Sequence, residues 1–203
     1  SNAVNILDGF NGLASGTVVV ILSVFALMAH QVQDLELFTL SLVLAGSVFG
    51  FMLLNYPFGK IFLGDAGAYF VGFLLAWIAI LLTVRHDAIS PWAALLVCAY
   101  PVTEVLYSMV RRMLRQQQAG QPDSEHLHSL IKKRLVRRYF NYLPAWAKNA
   151  MVAPSIWLYS ACAGLMAERF SGNPVLLASC YVGFVLWYHV SYKLLSRLPD
   201  YEG

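Results

Sequence analysis

Six apolar runs, each close to the length of a membrane crossing, leave this chain few folds to choose from. They fall at Gly12–Ala29, Leu37–Leu54, Ala66–Val84, Pro91–Val110, Met151–Met166 and Val175–Tyr192, the fifth being the shortest and allowing a start a few residues earlier. A helix rises about 1.5 Å per residue, so runs of this length span a hydrocarbon core of about 30 Å. The expected fold is therefore all-α, a polytopic bundle of about six transmembrane helices forming one membrane domain over residues 1–203. The chain is 59% hydrophobic and only 12% charged, more apolar than a soluble domain of this size needs to be. A net charge of +3 is too mild to suggest a nucleic-acid partner. Cys98, Cys162 and Cys180 each sit inside an apolar run without metal-ligand spacing, and read as small buried hydrophobes.

The basic residues set the orientation. All of the 14 Lys and Arg except Arg85 and Arg169 fall on one side of the alternating spans. The positive-inside rule puts that side in the cytoplasm. Both chain ends, the loop around Asp65 and the long 111–150 loop share it. His30, His86, Asp34 and Asp87 fall on the other side and read as solvated loop residues.

Three polar stretches meet on the cytoplasmic side. Asn5-Ile-Leu-Asp-Gly-Phe-Asn-Gly12 reads as a loop running into the first span. Asn5, Asp8 and Asn11 recur every third residue, and one of them suffices to cap that helix. Asn55-Tyr-Pro-Phe-Gly-Lys-Ile-Phe-Leu-Gly-Asp-Ala-Gly67 reads as a loop between two spans. There Asp65 lies between Gly64 and Gly67, which let backbone approach a phosphate or metal closely. Lys60 and Phe62 add a cation and an aromatic. The third stretch carries His126-Leu-His128 and the basic run Lys132–Arg138, which reads as an interfacial helix on anionic lipid. Glu104, inside the fourth span and three residues after Pro101, is expected to pair with a nearby Arg or bond another helix.

The stretches Asn5-x-x-Asp8-Gly-x-Asn11-Gly-Leu-Ala, Phe62-Leu-Gly-Asp65-x-Gly67 and Pro122-Asp-x-x-His126-Leu-His128 occur in that order. Together they resemble the polyprenyl-phosphate N-acetylhexosamine-1-phosphate transferases, glycosyltransferase family 4. The resemblance covers essentially the whole chain, as the C-terminal part of such an enzyme. It implies a reaction in which polyprenyl phosphate, undecaprenyl phosphate in bacteria, attacks the diphosphate of a UDP-sugar. UMP is released and the sugar remains on a lipid diphosphate, initiating cell-surface glycan synthesis. The implied cofactor is magnesium, with manganese as a substitute.

By the same resemblance Asp65 is a magnesium ligand on the diphosphate, with Asp8 sharing the metal. Asp8, Asp65, His126 and His128 are the expected catalytic residues. Asn5, Asn11, Asn55, Lys60 and Phe62 are the expected substrate-binding residues, with Phe62 stacked on uracil. The expected partners are UDP-N-acetylhexosamine, polyprenyl phosphate and membrane lipids, with homodimerisation left open. The expected location is the bacterial inner membrane, with the active site on its cytoplasmic face. The branch resembled is the UDP-GlcNAc one that feeds O-antigen, lipopolysaccharide and related glycans, more than the MurNAc-pentapeptide branch of peptidoglycan synthesis.

Three departures accompany the resemblance. Asn11 stands where many members carry an Asp, and Ser129 where many carry a further His. The family's adjacent aspartate pair lies upstream of these motifs, and no Asp-Asp occurs in the sequence. Residues 1–203 alone are therefore expected to be inactive. Two other classes stay open: a transporter coupled through Glu104, and a lipid-binding or assembly subunit without chemistry.

Overall fold

The apolar runs fold as helices. A computed structural model describes residues 2–116 and 125–199, and every regular element in them is helical. In chain order they are α1 (Asn2–Leu7), α2 (Leu13–Gln31), α3 (Leu35–Asn55), α4 (Gly64–Arg85), α5 (Pro91–Val97) and α6 (Ala99–Leu114). There follow α7 (Leu127–Leu130), a π-helical segment (Ile131–Val136), α8 (Arg137–Tyr139), α9 (Ala145–Ala150), α10 (Ala153–Arg169) and α11 (Pro174–Arg197).

Local chemistry explains the starts. Asp34 caps α3 by accepting from Leu37 N at 2.9 Å, and Asn173 caps α11 by accepting from Leu176 N at 3.1 Å. Ser90 caps α5 ahead of Pro91, and proline at a first helical position lacks only an N–H that would have no intrahelical partner.

Among the described residues, five helical stretches are long and apolar enough to cross a membrane: α2, α3, α4, Ala145–Arg169 and α11. A sixth span arises if α5 and α6 are taken together. The fold class read from the sequence holds, and the fifth span starts earlier than Met151, at Ala145, as its short run allowed. One difference is that the fourth is not straight, because α5 and α6 meet at 81° across Cys98. Pro101 lies three residues past that break; it has no N–H to give the Val97 carbonyl, and its ring clashes there, so the helix bends.

The bundle is built around α2, which is apolar on all sides and so can be enclosed. Of its most apolar stretch 72% is buried, against 17% for α11. On α11 the exposed face carries Val182, Leu186 and Val190 at four-residue spacing, as a lipid-facing stripe does. Cys162 is exposed on α10, and Cys98 and Cys180 are half-buried, so the expectation of three buried cysteines is corrected. A thiol is apolar enough to face lipid.

The loops sort to two ends. At one, the turns at 32–34, 86–90 and 170–173 meet, where Ser90 N donates to Ser171 O at 2.9 Å. His86 Nε2 there lies 2.9 Å from Asp34 Oδ2, and Arg85 reaches Glu36 at 2.9 Å and Asp34 at 3.5 Å. Asp34 and His86 are thus a tie between two turns, and the solvated-loop reading of them is corrected. The cap that holds Asp34 on α3 also turns it toward the end of α4. The three polar stretches lie at the other end.

Candidate active site

The first N–H groups of a helix have no acceptor within it. At α4 the acceptor comes from a distant stretch: Asp8 Oδ2 accepts from Gly64 N at 2.8 Å, across 56 residues. Asp8 thus caps α4. The expected loop at 5–12 is a short helix as far as Leu7, and α2 begins after Gly12 with no side-chain cap. Burial pushes the Asp8 carboxyl up, opposed by the Gly64 and Leu63 N–H groups. Asp65 is the next residue after Gly64, exposed, and in the first turn of α4 instead of a loop. A negative charge there suits the helix dipole. Two carboxylates from separate stretches are therefore gathered around one helix start.

Two asparagines lock these stretches together. Asn55, 1% exposed, accepts from Gly12 N at 2.7 Å and Ser15 Oγ at 3.1 Å, and donates to Ile61 O at 2.7 Å. Asn11, 3% exposed, donates to Pro57 O at 2.7 Å and Trp146 O at 3.3 Å, and accepts from Asn149 Nδ2 at 2.8 Å. The close fit demands glycine twice. A Cβ on Gly12 (φ +77°) would sit 2.5 Å from Tyr56 Cδ2, and one on Gly59 (φ +65°) 2.5 Å from Asn11 Oδ1. Expected to bind substrate, Asn11 and Asn55 have their amides engaged in holding the loop that carries Lys60 and Phe62 and leads into α4 at Asp65.

The histidine stretch packs against the same junction. The Phe10 ring meets the His128 ring edge-on at 5.0 Å between centroids. Lys132 Nζ lies 5.1 Å from the Phe10 centroid and donates to Asn149 Oδ1 at 2.8 Å. Burial lowers the Lys132 pKa, helped by Arg137 and Lys148. His126 and His128 stack with centroids 5.3 Å apart and planes 8° from parallel. Both are buried, His126 at 7% exposure and His128 at 1%. His126 Nδ1 is 3.0 Å from Glu104 Oε1, and His128 Nδ1 is 3.2 Å from Tyr100 Oη. Glu125, just before His126, is held by Arg115 Nη1 at 2.6 Å, and its carbonyl by Arg111 Nη1 at 2.5 Å.

The structure thus brings together Asp8, Asn11, Asn55, Asp65 and His128, with His126 beside His128. Asn5 lies half-buried on α1, where its carbonyl accepts from Asp8 N at 3.1 Å. Lys60 and Phe62 are exposed on the 55–64 loop, Phe62 at 45%. Pro122 and Asp123 lie outside the described residues. Sequence reasoning missed one residue: Lys132 was grouped with a lipid-facing basic run, whereas it turns toward Phe10 and Asn149 at the junction of the stretches. Of the two roles expected for Glu104, the structure shows the bond to another helix: it accepts from Leu127 N of α7 and meets the two histidines.

Asp8 and Asp65 both offer hard oxygen donors of the kind magnesium takes, and Asp65 is open to solvent. No group of three or more His, Cys, Asp or Glu suited to a metal occurs among the described residues. Two carboxylates suffice for magnesium, which keeps several waters and takes phosphate oxygens from its substrate.

Residues 1–83 match the family model described as glycosyl transferase family 4. A probable undecaprenyl-phosphate N-acetylglucosaminyl 1-phosphate transferase of Bacillus subtilis is 33% identical over 129 residues, 63% of this chain and 36% of that protein. An undecaprenyl-phosphate alpha-N-acetylglucosaminyl 1-phosphate transferase of Yersinia pestis is 28% identical over 92% of this chain and 51% of its own length. A phospho-N-acetylmuramoyl-pentapeptide-transferase of Lactococcus lactis is 41% identical over a shorter part, 55% of this chain and 32% of that protein. The chain spans about half or less of the length of these curated relatives. No solved structure matches it. The resemblance to glycosyltransferase family 4 read from the sequence therefore holds.

Proposed function

We propose, from the family 4 match and the geometry at the start of α4, that the full-length protein containing this chain transfers N-acetylhexosamine 1-phosphate. The donor is a UDP-sugar and the acceptor is undecaprenyl phosphate at the cytoplasmic face of a bacterial inner membrane. The GlcNAc branch is favoured because the Yersinia relative aligns with 92% of this chain. The product is a lipid-linked sugar diphosphate for surface glycan synthesis. The observation that carries the reading is the Asp8–Gly64 bond, which sets two carboxylates from separate motifs around one helix N-terminus.

In the reaction a phosphate oxygen of the lipid attacks the sugar-bearing phosphorus. The bond from that phosphorus to the UMP oxygen breaks, and UMP leaves with the electron pair. Such transfers depend mostly on positioning and charge neutralisation. Asp65 and Asp8 would hold magnesium, which when bound neutralises diphosphate charge. Phe62, exposed beside Lys60, offers a face for the uracil ring. Lys60 and Lys132 supply positive charge to the phosphates, and the helix start of α4 favours anions. His126 contacts phosphate from the third stretch. A groove of about 300 Å³ lined by Leu127, Ile131, Leu135, Tyr159, Trp187 and Leu194 is apolar and begins at the residue between the two histidines. It suits the first isoprene units of the lipid.

Purified full-length protein, given radiolabelled UDP-GlcNAc, undecaprenyl phosphate and magnesium, is expected to move label into the lipid phase with one UMP per sugar. Label that stays aqueous under these conditions would refute the reading. Residues 1–203 alone are expected to transfer none.

A further inference from the structure

Glu104 sits in an unusual place. It is 1% exposed, within the bent span, where an isolated carboxylate is costly. An arginine on its own helix, Arg111, is engaged elsewhere, with Glu125 and Tyr192 Oη. What Glu104 meets is the histidine stretch. Oε1 accepts from Leu127 N at 3.1 Å and lies 3.0 Å from His126 Nδ1, and Oε2 is 3.6 Å from His128 Nδ1. Tyr100 on the same helix and Tyr188 on α11 close the pocket around the carboxylate.

One oxygen thus engages both the ring of residue 126 and the backbone of residue 127. Charge neutralisation alone would need only one partner. Two bonds to consecutive residues fix the direction of the loop and the rotation of the ring together. A carboxylate has no proton to give, so the imidazole must donate from Nδ1. That puts a proton on Nδ1 and fixes how the ring is turned. The bend at Cys98 delivers this arrangement: an 81° turn aims α6, and with it Glu104, at the start of α7.

We infer that Glu104 is a positioning residue of the transfer site, which fixes the His126 ring through Nδ1–H and the loop through Leu127 N on one carboxylate. The inference rests on the transferase reading for the role of His126, but the placement of its proton can be measured independently. Outer-shell carboxylates that orient a functional histidine commonly matter by about 10- to 100-fold.

The test uses the full-length protein in lipid nanodiscs, with Glu104→Gln, His126→Asn and the double variant. Gln is isosteric and can still accept from Leu127 N, so the fold is kept while the charge is lost; equal thermal midpoints check this. Glu104→Gln is expected to lower kcat by about 10- to 100-fold with the UDP-GlcNAc KM changed less than about threefold. In the His126→Asn background it should add almost nothing, because it acts through that ring. In ¹⁵N-histidine NMR, His126 of the parent protein should carry its proton on Nδ1, and Glu104→Gln should shift that signal. Independent, multiplying effects of the two substitutions would overturn the inference. If the parent protein transfers no sugar phosphate, the transferase reading fails. The NMR arm then decides alone: an Nδ1 signal that Glu104→Gln leaves unmoved overturns the positioning role, and a shifted one upholds it.

Discussion

Asp8 accepts a 2.8 Å hydrogen bond from the backbone N–H of Gly64, so a residue near the chain's start caps a helix that begins 56 residues later. The same bond places Asp8 beside Asp65. This carboxylate is a hydrogen-bond acceptor for the fold, and in the proposed function it is also a charge for the site.

That division gives a test at Asp8. Asp8→Asn keeps an oxygen for Gly64 N but loses the charge, whereas Asp8→Ala loses both. In the full-length protein Asp8→Asn should keep its thermal midpoint and lose most turnover. Asp8→Ala should lose turnover and also about 0.5–2 kcal/mol of stability, as for other lost caps. Thermal denaturation in detergent and the lipid-transfer assay read the two effects separately.

Phe62 is 45% exposed on the loop ahead of α4. Stacking on a nucleobase is uniform binding, felt by ground and transition states alike. Phe62→Ala should therefore raise the KM for UDP-GlcNAc more than it lowers kcat. An unchanged KM would leave Phe62 as a surface anchor with no role in nucleotide binding.

Asn55 is the clamp between two of the stretches. Asn55→Ala would strand the buried Gly12 N–H and remove the tie to Ile61 O. A buried donor left without its acceptor costs about 1–3 kcal/mol. The variant should melt earlier, and at a temperature where it is still folded its turnover should fall, because the loop that carries Phe62 and leads into the α4 start at Asp65 is released. Normal turnover would show that the clamp does not position those residues.

At the opposite end of the bundle, Asp34 predicts a pH dependence. Burial works to raise its carboxyl pKa, but the Leu37 N–H, His86 and Arg85 outweigh it and hold the group below the usual 3.8. A carboxylate depressed in the native state contributes stability that is fully present above its unfolded value. That contribution is lost as pH falls through the native value. The thermal midpoint should thus drop as pH is lowered past about 4, and Asp34→Asn should flatten that slope. A slope the variant shares in full would assign the acid sensitivity to other groups.

The spans were legible because hydrophobic length is a local property of sequence. The bend at Cys98 was not, since Pro101 within an apolar run is compatible with a straight, tilted or broken helix. The three site stretches were legible as motifs, and so was the side they share. Their mutual bonds were hidden because each joins residues far apart in sequence. Asp8 illustrates this: a capping residue was expected there, but sequence proximity pointed to α2, whereas its acceptor role is at α4. Glu104 announced itself as a carboxylate among apolar residues, yet only the direction of α6 reveals that it meets His126.

The proposed role of Asp65, beside Asp8 at the start of α4, is to hold the metal that neutralises the donor diphosphate. The direct measurement is label transfer from UDP-GlcNAc to undecaprenyl phosphate by the full-length protein and its Asp65→Asn variant over a magnesium titration. Losing one ligand and its charge should lower turnover by orders of magnitude and move the magnesium requirement upward. Turnover equal to that of the parent protein at limiting magnesium would contradict the assignment.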